Sequence, residues 1–222
     1  MAKVLFCNVW YNIARSMKKI HTKSPTVLQA IIYLFTIVLF KIFCRFEVRG
    51  LENLKQVGQK VIFASNHGSE WDGILIRTSL PFFSRWTPMY YVALTKEKYI
   101  NSGWRQILYG GRLFELLGAY VTYSGRKDYA YSLQNYLQIL AQGKSVCIFP
   151  EGKRTRDGKI GPARGGLGFL SHETDTSVIP VAIYGTTFFS TKEMLLRRRK
   201  VIVQFGEAIL PETIGSGLVR RR

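Results

Sequence analysis

Two short blocks of this chain carry residue types that could do chemistry. In the first, the apolar run 61–65 leads directly into Asn66-His67-Gly68-Ser69-Glu70-Trp71-Asp72, after which a helical pattern begins. A histidine at the end of a strand can meet a carboxylate placed five residues later in a first helical turn. The carboxylate then accepts the proton of one ring nitrogen, fixing the tautomer and raising the basicity of the other nitrogen. That is a two-member general base for an oxygen nucleophile. A lone His-x4-Asp pair is a weak signal, since most such pairs are incidental surface polar residues. The second block, Ile148-Phe149-Pro150-Glu151-Gly152-Lys153-Arg154-Thr155-Arg156, also follows an apolar run. Its turn combines guanidinium forks with exposed backbone N–H groups, a pairing suited to a phosphate, although taken alone it also reads as an ordinary basic turn.

The elements that would position these blocks are legible from about residue 46 onward. Strand candidates fall at 61–65, 89–95, 119–123, 145–149, 178–184 and 201–205. Between two of them, Tyr129, Leu133, Tyr136, Leu137 and Leu140 mark a one-faced helix that ends at Gly143. Short strands alternating with helices are the pattern of an α/β protein, and open sheets of that class place ligands beyond strand ends. Both chemical blocks stand in such positions. The run Arg197-Arg198-Arg199-Lys200 reads as a solvated charged face that also suits lipid phosphates.

The N-terminal part has a different texture. Phe6, Val9, Trp10, Ile13 and Met17 recur at helical spacing among polar residues, as in an amphipathic helix lying at an interface. Residues 27–43 form an apolar run broken only by Gln29, Thr36 and Lys41. As a helix that run reaches about 25 Å, against about 30 Å of bilayer hydrocarbon. Ser24-Pro25 offers an N-cap and a first-turn proline. A hairpin dipping into one leaflet, a true crossing and a buried core helix all fit this pattern. Lys18, Lys19, Lys23, Arg45 and Arg49 flank the apolar segments and suit lipid headgroups.

Composition narrows the partners. The chain has 222 residues, 47% of them hydrophobic, and a formal net charge of +18, with 32 Lys and Arg against 14 Asp and Glu. This excludes a disordered or collagen-like chain and predicts a polyanionic partner, either nucleic acid or an anionic membrane. A mean hydropathy of +0.02 favours the membrane. Cys7, Cys44 and Cys147 are too few and too scattered for a disulfide framework or a zinc knuckle, which predicts a reducing, cytosol-facing compartment. Cys44 reads as a buried thiol ahead of a palmitoylation site.

Taken together, the two blocks resemble motifs I and III of the glycerolipid acyltransferase family, which includes the 1-acylglycerol-3-phosphate acyltransferases. Gly118-Ala119-Tyr120-Val121 leading to Arg126 resembles motif II, Val178-Ile179-Pro180-Val181 resembles motif IV, and Phe205-Gly206-Glu207 is similar to a further landmark. Four ordered blocks are far more specific than any one. The resemblance implies that His67 is the general base and Asp72 its orienting partner, that Arg126, Glu151, Gly152 and Arg154 bind the acceptor, and that Pro180 shapes the acyl-donor side. Lys96 stands about where related enzymes carry a basic residue. Two departures matter: Tyr123-Ser124-Gly125 intervenes before Arg126, so Lys127 competes for the phosphate role, and Lys153 adds charge that favours a phosphorylated acceptor.

The expected architecture is α/β, a mixed, mostly parallel sheet flanked by helices. Residues 1–45 form a membrane-associating helical hairpin and residues 46–222 an acyltransferase domain. The expected reaction moves an acyl chain from acyl-CoA or acyl-carrier protein, as co-substrate, to a lysophospholipid hydroxyl. No metal or other cofactor and no nucleic acid take part, and no oligomeric state is assigned. The acceptor favoured is 1-acylglycerol 3-phosphate, giving phosphatidic acid, with glycerol 3-phosphate or another lysolipid as alternatives. The place is the cytoplasmic face of a membrane, the plasma or inner membrane in a bacterium. A non-catalytic basic lipid- or nucleic-acid-binding protein accounts for the charge but not for the two blocks, and a hydrolase would use the same dyad with water.

Overall fold

The computed structural model describes residues 20–93, 112–123, 128–188, 192–193 and 196–214. The amphipathic segment expected over 1–20 and the positions Lys96, Arg126 and Lys127 lie essentially outside the described residues. Helix α1 (Lys23–Phe43) is followed by strand β1 (Arg45–Arg49), a short 3-10 turn, β2 (Ile62–Ser65), α2 (Asp72–Ser79), β3 (Met89–Ala93), α3 (Arg112–Leu116) and β4 (Ala119–Val121). The chain continues through α4 (Tyr129–Ser132), α5 (Gln134–Ala141), β5 (Ser145–Ile148), α6 (Gly166–Thr174), β6 (Val178–Tyr184) and β7 (Lys200–Phe205).

Among the described residues the strands form one seven-stranded sheet in the order β1-β7-β6-β2-β5-β3-β4. Every neighbouring pair is parallel except β6 with β7. The sheet is therefore mixed and mostly parallel, as expected. Alternation along the strands sends successive side chains to opposite faces. Val61, Phe63, Cys147, Ile179 and Val181 join the core beneath α1 and α2, while Ile62, Val146 and Val178 join the core formed with α5 and α6.

Three local features differ from the sequence reading. Strand β1 was not among the candidates. Its Arg-Phe-Glu-Val-Arg pattern is a polar sheet edge, where Glu47 pairs with Arg49 at 2.7 Å and with Lys200 at 2.8 Å. These two cations hold the Glu47 carboxyl down at about 2. The helix expected over 129–140 is divided at Leu133 into α4 and α5, and Gly143 follows its end with a φ of 71°. Finally, α1 begins at Lys23 with Thr22 in the N-cap position, without a side-chain capping bond. Ser24, expected as the cap, has a buried Oγ with no partner among the described residues.

Helix α1 has two unlike faces running its whole length. Pro25, Gln29, Thr36 and Phe40 are buried against the domain, whereas Val27, Ile31, Leu34, Phe35, Val38 and Ile42 are exposed. By length and composition α1 is the one helix among the described residues that could cross a membrane. It is neither a fully buried core helix nor free of the domain. Cys44, just beyond it, is buried, and burial raises its thiol pKa.

Two polar contacts fix α1 in place. Gln29 Nε2 donates to the carbonyls of Met89 (2.6 Å) and Leu117 (2.9 Å), while its Oε1 accepts from Met89 N–H (3.0 Å). The Thr36 and Thr78 hydroxyls lie 2.8 Å apart, joining α1 to α2. Replacing Gln29 by Leu leaves the buried Met89 backbone groups short of partners. The Gln29→Leu variant should therefore lose about 1–3 kcal/mol in a denaturant-unfolding measurement.

Candidate active site

The parallel strands β2 and β5 are neighbours, so the loops leaving their C-terminal ends emerge side by side. The first loop carries His67 and the second carries Phe149 to Arg156. The His67 peptide is held on both sides by the second loop: its N–H donates to Glu151 Oε1 (3.1 Å), and its carbonyl accepts from Thr155 N–H (2.9 Å). The imidazole stacks on Phe149, with ring centroids 4.0 Å apart and planes 15° apart. On the other flank Asn66 bonds both backbone groups of Ile183, at 2.9 and 2.8 Å, pinning the loop to β6.

The His67–Asp72 pair forms as the spacing predicts. Nδ1 lies 3.0 Å from Asp72 Oδ2, which leaves Nε2 as the ring nitrogen outside this contact. Asp72 is completely buried at the start of α2. Its charge is met by Gly68 N–H (2.7 Å), Ser69 N–H (2.8 Å) and Ser69 Oγ (2.9 Å) as well as by the histidine. A buried carboxylate needs such a donor set to offset its lost hydration. Burial strongly raises the pKa of the neighbouring Cys147 thiol, and the Asp72 charge adds to the effect.

The dyad opens onto a cavity of about 420 Å³ between α1, α2 and β3. His67, Glu70, Phe149 and Arg154 line it on the side of the two loops, together with the apolar side chains of Ile32, Tyr33, Ile74, Tyr91, Leu113, Phe114 and Leu117. Most of its lining is apolar, with His67, Glu70 and Arg154 among its polar residues. Gly73 lets α2 approach the Tyr91 ring closely, since a Cβ there would lie 3.2 Å from it.

The remaining expected site residues divide. Arg154 lines the cavity, pairing with Glu70 at 3.1 Å in an exposed contact. Exposed ion pairs contribute about 0–1 kcal/mol, so a phosphate could take over this guanidinium at little cost. Gly152 takes a φ of 68°, and a Cβ there would press on the Arg164 guanidinium at 2.9 Å. The Glu151 carboxylate is nine-tenths buried and fully engaged, with Oε2 accepting from Gly161 N–H at 2.8 Å. It braces the loops. Pro180 lies opposite Ala64 on the sheet face that also carries Val178, away from the cavity.

The sequence alone assigns no role to Ser69 or Phe149. A serine three residues before an acidic residue at a helix start was the available signal for Ser69. Phe149 gave none, because only the β2–β5 pairing puts its ring on His67.

The His67–Asp72 pair, at the C-terminal edge of a mostly parallel sheet and beside a cavity with a mostly apolar lining, marks the candidate site of this α/β protein. This chain belongs to the acyltransferase family: the model of the family described as Acyltransferase matches residues 45–184. It is 25% identical over 147 residues to the chloroplastic 1-acyl-sn-glycerol-3-phosphate acyltransferase BAT2 of Brassica napus, covering 65% of this chain and 38% of that protein. With the human 1-acyl-sn-glycerol-3-phosphate acyltransferase beta it shares 27% identity over 172 residues, 74% of this chain and 56% of the human protein. The chain thus spans less than two thirds of the length of these relatives. In fold it is similar to the 1-acyl-sn-glycerophosphate acyltransferase PlsC of Thermotoga maritima, with a TM-score of 0.57, 19% identity, and coverage of 98% of this chain and 87% of that one.

The bracing geometry separates two roles for Glu151. Removing the carboxylate in Glu151→Ala leaves the His67 and Gly161 N–H groups without their acceptor. It should lower stability by about 1–3 kcal/mol and reduce kcat, with little change in KM for the acceptor. Unfolding curves and steady-state kinetics on the same preparation check this.

Proposed function

We propose that this chain is an O-acyltransferase that moves an acyl group from acyl-CoA or acyl-carrier protein to the free hydroxyl of a lysophospholipid, 1-acylglycerol 3-phosphate, giving phosphatidic acid. The observation that carries the reading is the His67–Asp72 pair beside a cavity with a mostly apolar lining, to which Arg154 also contributes. The names of the relatives above point to the same acceptor.

In this mechanism His67 Nε2 takes the proton of the acceptor hydroxyl as its oxygen attacks the thioester carbonyl. Asp72 stabilises the imidazolium that forms. The new C–O bond is made, the C–S bond breaks, and the thiolate recovers the proton from His67 to leave as free thiol. The thioester is already activated, so the reaction needs no acyl-enzyme, metal or organic cofactor. The acyl chain occupies the cavity, and Arg154 holds the acceptor phosphate. Arg126 and Lys96 remain proposed contributors of positive charge.

Membrane association belongs to the same proposal. The exposed apolar stripe of α1 supports immersion, and the buried face along the same length ties the helix to the domain. A helix held in this way is better suited to lying in the plane of one leaflet than to crossing the bilayer. That arrangement would bring the cavity to the membrane surface, on the cytoplasmic side.

Two variants test the reaction. His67→Ala should lower acyl transfer by about 10²–10⁴-fold while circular dichroism and vesicle binding stay unchanged; transfer at the wild-type rate would refute the dyad assignment. Arg154→Ala should raise KM for 1-acylglycerol 3-phosphate more than KM for the acyl donor, and thiol release should depend on added acceptor.

A further inference from the structure

The basic run Arg197-Arg198-Arg199-Lys200, leading into β7, has no part in the mechanism above, and its cations are not alike. Arg199 and Lys200 are neutralised by Glu193 (2.6 Å) and Glu47 (2.8 Å). Arg197 and Arg198 are exposed, and neither belongs to an ion pair among the described residues. Arg199 ties the run to the end of α1: its carbonyl accepts from Arg45 N–H at 3.0 Å, and its guanidinium donates to the Phe188 carbonyl at 3.1 Å. Lys41, Ile42 and Arg45, at that end of α1, are exposed as well. Two large apolar side chains stand out of the same β6–β7 connection, Phe188 at 69% and Leu196 at 52% exposure. Phe188 and Arg197 take φ values of 53° and 52°, in the left-handed region that disfavours bulky side chains. The chain thus carries a backbone cost at two exposed side chains.

Cations interleaved with exposed apolar side chains suit a surface that offers phosphates above hydrocarbon, the interface of an anionic bilayer. Arginines alone would equally attract nucleic acid or an acidic protein. The apolar side chains, and the continuity with the exposed stripe of α1 through Arg45, select lipid. We propose that the β6–β7 connection makes a second membrane contact, in which Arg197 and Arg198 bind the phosphates of anionic lipids while Phe188 and Leu196 enter the interface beside the last turn of α1. This rests on the membrane reading of α1 and adds the class of lipid and a second point of attachment. One helix lying in a leaflet leaves the domain free to roll about the helix axis; a second contact fixes that roll. The connection leaves the C-terminal end of β6, which is parallel to β2, so it stands at the sheet edge that also carries His67. The membrane contact therefore draws the candidate active site towards the headgroups, where a lysophospholipid lies.

The test sediments the full chain with vesicles of phosphatidylcholine alone and of phosphatidylcholine mixed with phosphatidylglycerol in equal parts. The wild-type chain should prefer the anionic vesicles, and high salt should weaken that preference. With Arg197→Gln and Arg198→Gln combined, partition onto anionic vesicles should fall about tenfold or more, at about fivefold per arginine, and partition onto neutral vesicles should hold. Phe188→Ala should weaken binding to both. Acyl transfer in nonionic micelles should match the wild-type rate in each variant, since none of these residues lines the cavity. Undiminished binding of the arginine variant to anionic vesicles overturns the proposal, as does undiminished binding of Phe188→Ala. An arginine variant that keeps its vesicle affinity but loses affinity for an oligonucleotide or for acyl-carrier protein assigns the run to that partner, and also overturns it. A wild-type chain that binds neither kind of vesicle overturns the membrane reading of α1, and this proposal with it; one that binds both equally overturns this proposal alone. Phe188→Ala keeps the test decisive should the arginine variant fail to fold.

Discussion

The site depends on keeping one carboxylate charged where water cannot reach it. Asp72 is fully buried, and its four donors come from His67, Gly68 and Ser69, three consecutive residues at the exit of β2. Satisfying the charge therefore dictates the path of the loop. The turn that wraps Asp72 is the turn that aims His67, so both side chains are fixed by a single set of bonds. Placing Asp72 in the first turn of α2 adds the favourable end of the helix dipole.

The second loop completes what the first begins. Both backbone groups of His67 are engaged by the β5 loop, which fixes the peptide that carries the ring. Phe149 closes one face of the ring. The cost is a second buried carboxylate, Glu151, which two backbone N–H groups offset. The loops meet because β2 and β5 are adjacent and parallel, which sends both C-terminal ends to the same edge of the sheet.

The cavity joins this rigid edge to α1. Without the helix, the wall formed by Ile32 and Tyr33 would be missing. Gln29 secures it with three bonds to backbone groups at the start of β3 and the end of α3. One helix thus turns an apolar face to the surroundings and a polar-anchored face to the cavity. The positive charge is also divided. Arg154 stands beside Glu70, Arg199 and Lys200 are taken up by Glu193 and Glu47, and Arg77 lies buried in the wall.

Much of this was legible in the residues alone. The α/β class, most of the strands and the His67–Asp72 contact follow from local rules: alternation, turn geometry and a five-residue spacing that closes across one turn. Local rules do not reach β1, whose charged pattern becomes a strand through pairing with β7, more than 150 residues away. Nor could they assign Glu151 a bracing part or seat Pro180 on the face away from the cavity, because both depend on which strands are neighbours. Arg77 makes the division plainest. In the sequence it is one cation among 32 Lys and Arg, and a lone arginine in a helix reads as solvated. Only the packing of the chain around it buries its guanidinium, against the Tyr33 ring and the Phe82 carbonyl, because burial is set by contacts between segments that the order of residues does not place side by side.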